Sequence, residues 1–107
     1  MQVREYLDAT DRSPYRRWFD ALDARAAAKV ATGLYRLEQG SFSNVEGVGG
    51  GVFELKIDFG PGYRVYFGKD GAAIVILLGG SKKKRQSAAI KLANDAWVDY
   101  KRRRKQA

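Results

Sequence analysis

From Ser13 onward the apolar residues fall into two helical stripes, then two strand-like alternations and an unbroken apolar run, then a third helical stripe. Tyr15, Trp18, Phe19 and Leu22 recur at i, i+3, i+4 and i+7, one face of a helix. Ser13 is placed to cap it, and Pro14 suits its first position. Asp23 reads as a second cap, opening a run of good helix formers from Ala24 to Gln39 with Val30, Leu34 and Leu37 on one face. Gly40 is a natural stop, and so short a junction between the two helices predicts a helical hairpin.

Val52 to Phe59 then alternates. Phe53, Leu55, Ile57 and Phe59 fall on one side and Glu54, Lys56 and Asp58 on the other. Gly60-Pro61-Gly62 is a turn. Tyr63 to Phe67 alternates again, setting Arg64 and Tyr66 against Tyr63, Val65 and Phe67. Asp70-Gly71 signals a hairpin, and Ala72 to Leu78, apolar on both faces, predicts the central strand. A last helix from about Gln86 to Tyr100 carries the stripe Ile90, Ala93, Trp97 and Tyr100. Gln2 to Leu7 reads as an edge strand. Ser41 to Gly51, with four glycines and two serines, reads as a loop. The order β-α-α-β-β-β-α predicts one α+β domain over residues 1–107. A two-helix hairpin and a C-terminal helix pack on a small, mainly antiparallel sheet, with a basic tail from about residue 101.

Composition narrows the chemistry. There is no cysteine and no histidine, which removes disulfides, thiolate metal sites, the commonest metal ligand and the commonest general base. Neither a metal nor a small-molecule cofactor is expected. No stretch reaches the ~20 apolar residues that cross a bilayer, and Arg4, Glu5 and Asp8 interrupt any signal-peptide pattern. A cytoplasmic protein without a membrane partner is the expectation.

The net charge is +8. Residues 82–85 hold four positive charges and residues 101–105 hold five; without those nine, 11 Lys and Arg face 12 Asp and Glu. The basicity is therefore concentrated in two C-terminal clusters, which favours an anionic partner. A helix-turn-helix reading of residues 13–39 is weaker, because that segment carries only five positive charges against three negative. Helical spacing makes Trp18, Phe19 and Trp97 core residues. The glycines from Gly47 to Gly51 lack the lysine ending and the strand-to-helix setting of a phosphate loop.

Strand alternation puts Lys56 and Arg64 on one face if their hairpin is in register, with Glu54 and Tyr66 beside them. By alternation alone, cross-strand ion pairing on a solvated sheet accounts for these charges. The segment after the last strand adds more. Gly79-Gly80 turns the chain, and Lys82, Lys83, Lys84 and Arg85 arrive at a helix start, where positive charge opposes the helix dipole. Without histidine or metal, this residue set suits RNA cleavage by the ribose 2′-hydroxyl. Lys56 is the candidate base or electrostatic anchor, Arg64 the phosphate clamp, and Lys82 or Lys83 the stabiliser of the leaving group or phosphorane. Tyr66 is a candidate to stack on a base, and Lys84, Arg85, Arg102 and Arg103 are candidate RNA contacts.

Gly51-Val-Phe-Glu-Leu-Lys-Ile57, Gly60-Pro-Gly-Tyr-Arg-Val-Tyr-Phe67 and Leu77-Leu-Gly-Gly-Ser-Lys82 resemble the RelE/ParE toxin superfamily, nearest its HigB-like addiction-module killer proteins. The likeness spans nearly the whole chain. It implies a type II toxin–antitoxin toxin, neutralised by a small antitoxin that in such systems is often DNA-binding. Within that superfamily the RNase branch cuts mRNA on the ribosome, and ParE-type relatives inhibit DNA gyrase instead. By position, Lys56 and Arg64 match the strand lysine and arginine of the RNase branch, and Lys82–Lys83 match a basic position after the last strand. The chain departs from the pattern at Glu54, where some RNases carry a second lysine. It departs again at Ala88 and Ala89, where some carry a tyrosine, and at Ser81, where the killer-protein branch often has aspartate. A ribosome-dependent endoribonuclease is the reading; a ParE-like gyrase inhibitor or a non-catalytic nucleic-acid-binding module are the alternatives.

Overall fold

The computed structural model describes residues 1–106. In chain order the elements are β1 (Gln2–Glu5), α1 (Pro14–Asp20), α2 (Ala24–Glu38), β2 (Val45–Gly49), β3 (Val52–Ile57), β4 (Tyr63–Asp70), β5 (Ile74–Lys82), a single 3-10 turn (Lys83–Arg85) and α3 (Gln86–Gln106). Both helix caps form as the sequence implies. The Ser13 side chain accepts the Arg16 N–H at 3.0 Å, and Asp23 accepts that of Ala26 at 2.9 Å. Each satisfies a backbone donor that a helix start otherwise leaves bare.

The five strands lie in the order β1-β5-β4-β3-β2, with β1 parallel to β5 and every other pair antiparallel. Two expectations change. The glycine-rich segment is not all loop, because β2 pairs with β3 there. Its register slips between Gly47 and Gly49, so Val48 is the extra residue of a bulge. Val45 packs with one side of the sheet and Val48 with the other, as alternation sets for residues three apart. The glycine content that suggested a loop is what lets the strand kink. The middle of the sheet belongs to β4, and β5 lies between it and β1.

Both faces of the sheet are covered. On one, α1 and α2 bury Tyr15, Ala26, Val30 and Leu37 against Leu55, Ile57, Val65, Phe67 and Leu77. On the other, α3 buries Ala93, Ala96 and Trp97 against Val52, Tyr66, Ile76 and Leu78. Each face seats one tryptophan on a glycine. A Cβ on Gly68 of β4 would stand 2.5 Å from the Trp97 ring, and one on Gly80 of β5 would stand 2.2 Å from the Trp18 ring. No side chain can occupy either position without moving the indole.

Candidate nucleic-acid interface

Lys56 of β3 is the direct cross-strand partner of Arg64 of β4, and Arg64 in turn is opposite Ser81 of β5. The three share one face, the one that α3 covers further along. Tyr63 is opposite Lys82, so β5 delivers the post-glycine lysines beside the β3–β4 turn. Gly62 completes the juxtaposition. Its φ is +82°, its carbonyl accepts the Lys83 N–H at 3.0 Å, and a Cβ built on it would lie 3.3 Å from Lys83 Cβ and 3.8 Å from Arg64 Nη1. The Lys83 stem and one amino group of Arg64 therefore both border the turn glycine.

The two strand cations sit in different surroundings. Lys56 is half-exposed and pairs with Glu46 of β2. That hydrogen bond and the carboxylate charge raise its pKa above the ordinary lysine value. The Glu46 carboxylate thus favours the charged form of Lys56, the form that serves as an electrostatic anchor. Arg64 is buried, with only 6% of its side chain exposed. Its Nη1 donates to the Tyr63 carbonyl at 3.0 Å, and its Nε lies 3.7 Å from Oε1 of the equally buried Glu54. Nε is buried with no hydrogen-bond partner among the described residues. Glu54 accepts the side-chain amide of Gln86 on both oxygens, at 3.0 and 2.9 Å. Gln86 is the first residue of α3, so the helix start is tied to the strand charges. The charges do form ion pairs, but Glu54 and Arg64 form theirs under cover rather than on a solvated face.

Lys82, Lys83, Lys84 and Arg85 are all exposed. Tyr66 is fully buried, and its hydroxyl shares a 3.0 Å hydrogen bond with Ser81. It offers no ring face to a base; its place is in the core under α3. The 101–105 cluster continues α3 rather than forming a tail. Arg103 pairs with Asp99 and donates to the Leu7 carbonyl at 2.6 Å and the Tyr6 hydroxyl at 3.2 Å. Arg102 reaches Asp99 at 2.6 Å, and Arg104 reaches Asp70 at 2.8 Å. Asp70 ends β4 six residues beyond Arg64, roughly 20 Å away. The two basic clusters therefore occupy opposite ends of the sheet, and Arg103 acts as a tether between α3 and the chain after β1.

Sequence reasoning missed Glu46, Gln86 and the covering of Glu54. Glu46 lies in the segment that its glycines mark as a loop, and nothing in the spacing pairs Gln86 with a residue 32 positions earlier. Among the described residues no group of three or more His, Cys, Asp or Glu side chains is placed to hold a metal. Among them, too, no helix is long and apolar enough to cross a membrane.

The fold and site together define a small basic α+β protein with a row of strand cations beside a lysine-rich turn. Residues 17–98 match the family described as Phage derived protein Gp49-like (DUF891), and the chain belongs to that family, which is related to the RelE and HigB-type toxins. The chain is also similar to an uncharacterized protein of Haemophilus influenzae, 43% identical over 77 residues that make up 71% of this chain and 78% of that one. The family supports a toxin of a toxin–antitoxin pair, with a cognate antitoxin as its partner.

Proposed function

We propose that this toxin cuts RNA, and that its substrate is message on the ribosome. The observation that carries the reading is the convergence of three cations from three elements. Lys56 and Arg64 are cross-strand partners on β3 and β4, and the Lys83 stem and an Arg64 amino group both border Gly62. Preorganised positive charge of this kind stabilises the extra negative charge of a five-coordinate phosphorus.

In the reaction the ribose 2′-oxygen attacks the adjacent phosphorus and the bond to the 5′-oxygen breaks. The products are a 2′,3′-cyclic phosphate and a free 5′-hydroxyl. The 2′-hydroxyl proton leaves to water, because the ion pair with Glu46 favours the charged form of Lys56. Lys56 and Arg64 stabilise the phosphorane, and the ammonium of Lys82 or Lys83 donates a proton to the departing 5′-oxygen. DNA, without a 2′-hydroxyl, is spared. An antitoxin that covers the lysine-rich turn blocks the reaction.

Inducing the protein in bacteria and mapping mRNA 5′ ends tests this. Codon-linked cuts are expected, and Lys56→Ala should reduce them about a hundredfold, the usual loss for one preorganised donor. Arg64 is a poor choice for alanine substitution, because its burial against Glu54 makes the change a folding lesion; Arg64→Lys keeps the charge. Intact message together with poisoned gyrase would overturn the nuclease reading.

A further inference from the structure

A groove of about 330 Å³ lies between α2 and the edge of β3, floored by Leu55 and Ile57 on the sheet face opposite Arg64, with Lys56 at its border. On α2 its wall is Lys29, Thr32, Gly33 and Arg36, spaced i, i+3, i+4 and i+7, which is one stripe of the helix. Gly33 lets the helix come close, since a Cβ there would be 3.4 Å from both Leu55 and Ile57. The opposite wall is the segment after α2, with Ser43 and Asn44 lining the groove. That segment is pinned in place, because the Asn44 carbonyl accepts the Lys56 N–H at 2.9 Å.

Neither Lys29 nor Arg36 takes part in an ion pair among the described residues. They stand seven residues apart, roughly 10 Å along the helix, farther than one phosphate bridges. Hydroxyl and amide donors lie among them, and Asp58 is the one acidic side chain on the lining. The floor, Leu55 and Ile57, is already 4% and 7% exposed, and the half-buried Phe59 ring on the lining has the Lys29 ammonium 5.5 Å above it, so little free apolar surface remains for a peptide to bury. That balance favours a phosphodiester chain over an acidic segment of protein. Lys56 borders the groove as well as facing Arg64. Beyond Leu55 no strand among the described residues covers this edge of β3, since β2 pairs only as far as that residue.

We infer that the α2–β3 groove is a second phosphate site, holding the flank of a single-stranded RNA that rounds the open edge of β3 to reach Lys56 and Arg64. Lys29 and Arg36 each meet one phosphate, and Ser43 and Asn44 supply neutral donors between them. The inference rests on the RNA-cutting reading for what lies at the far end of the strand.

The test is binding of a fluorescent 12-nucleotide single-stranded RNA by anisotropy at several KCl concentrations, to the wild type and to Lys29→Ala/Arg36→Ala. The double variant should raise Kd about tenfold and flatten the log–log salt slope by about 1.4, or ~0.7 for each phosphate that is no longer neutralised. Its circular dichroism and Tm should be unchanged. In a parallel 1H–15N titration, the RNA should shift the amides of Thr32, Gly33, Ser43 and Asn44. An unchanged Kd and slope, or shifts from a polyglutamate peptide and not from RNA, overturn the inference. The two failures separate cleanly. A groove variant that binds and cuts as wild type refutes the groove alone. A groove variant that loses RNA binding, in a protein that leaves message uncut, refutes the nuclease reading alone.

Discussion

Deleting the Arg64 side chain leaves the Glu54 carboxyl, 2% exposed, held only by the Gln86 amide. At 3.7 Å between Arg64 Nε and Glu54 Oε1, and an effective dielectric constant of ~20, the attraction removed is about 4 kcal/mol. That agrees with the ~3–5 kcal/mol measured when one partner of a buried pair is removed. Arg64→Met should therefore lower Tm by roughly 12–20 °C, taking ~4 °C per kcal/mol for a domain of about this size. Adding Glu54→Gln should restore much of the loss, because the carboxylate is then no longer stranded and the amide can still meet Gln86. The assay is urea denaturation of the wild type, both single variants and the double variant, with the coupling energy taken from the cycle. Repeating it in 0.5 M NaCl should change little, since a buried pair is weakly screened. An Arg64→Met cost under ~1 kcal/mol, or a double variant as unstable as the sum of the singles, would refute the reasoning.

Gly68→Ala should destabilise by ~1–3 kcal/mol through overpacking and alter Trp97 fluorescence, because the new methyl falls where the indole now lies; an unchanged Tm and emission spectrum would show that the ring has room to move. The hydrogen bond from Arg103, with another from the Tyr6 hydroxyl, holds the Asp99 carboxyl well below the usual carboxylate range. The folded-state pKa is depressed, so the stabilisation is present above the unfolded value of ~3.9 and is lost as pH falls through the lower folded value. Titration of the Asp99 carboxyl by NMR should therefore show a midpoint well below that of an ordinary aspartate, and Arg103→Ala should move it upward; a midpoint at the ordinary value counts against the tether.

The helices are legible in the sequence because each sets a cap against a clear 3.6-residue stripe: Ser13 before Tyr15 and Trp18, Asp23 before Val30 and Leu37. The Lys56–Arg64 pairing is legible too, since a period of two and one short turn fix which side chains share a face. What covers that face is not. Glu54, Lys56 and Arg64 alternate like a solvated strand, yet Glu54 and Arg64 are buried. Their cover comes from Gln86 and the α3 stripe, neighbours that no local pattern encodes. Tyr66 misleads for the same reason: alternation gives a side, and only tertiary packing says whether that side is wet. The strand β2 is hidden by its glycines, which accommodate a bulge as readily as a loop. Arg103 and Arg104 look like free charge along the chain because Asp99 and Asp70, their partners, enter only the total.

The parallel pairing of β1 with β5 has a consequence for synthesis. Gln2 through Glu5 find their partners only at Ile74 through Leu77, so the first strand made must wait for the last strand of the sheet. Until then an emerging chain has an unfinished sheet, and Lys83 has not yet joined Arg64 over Gly62. In a toxin directed at translation, as proposed, that delay keeps the weapon unarmed while the ribosome is still making the strands that compose it.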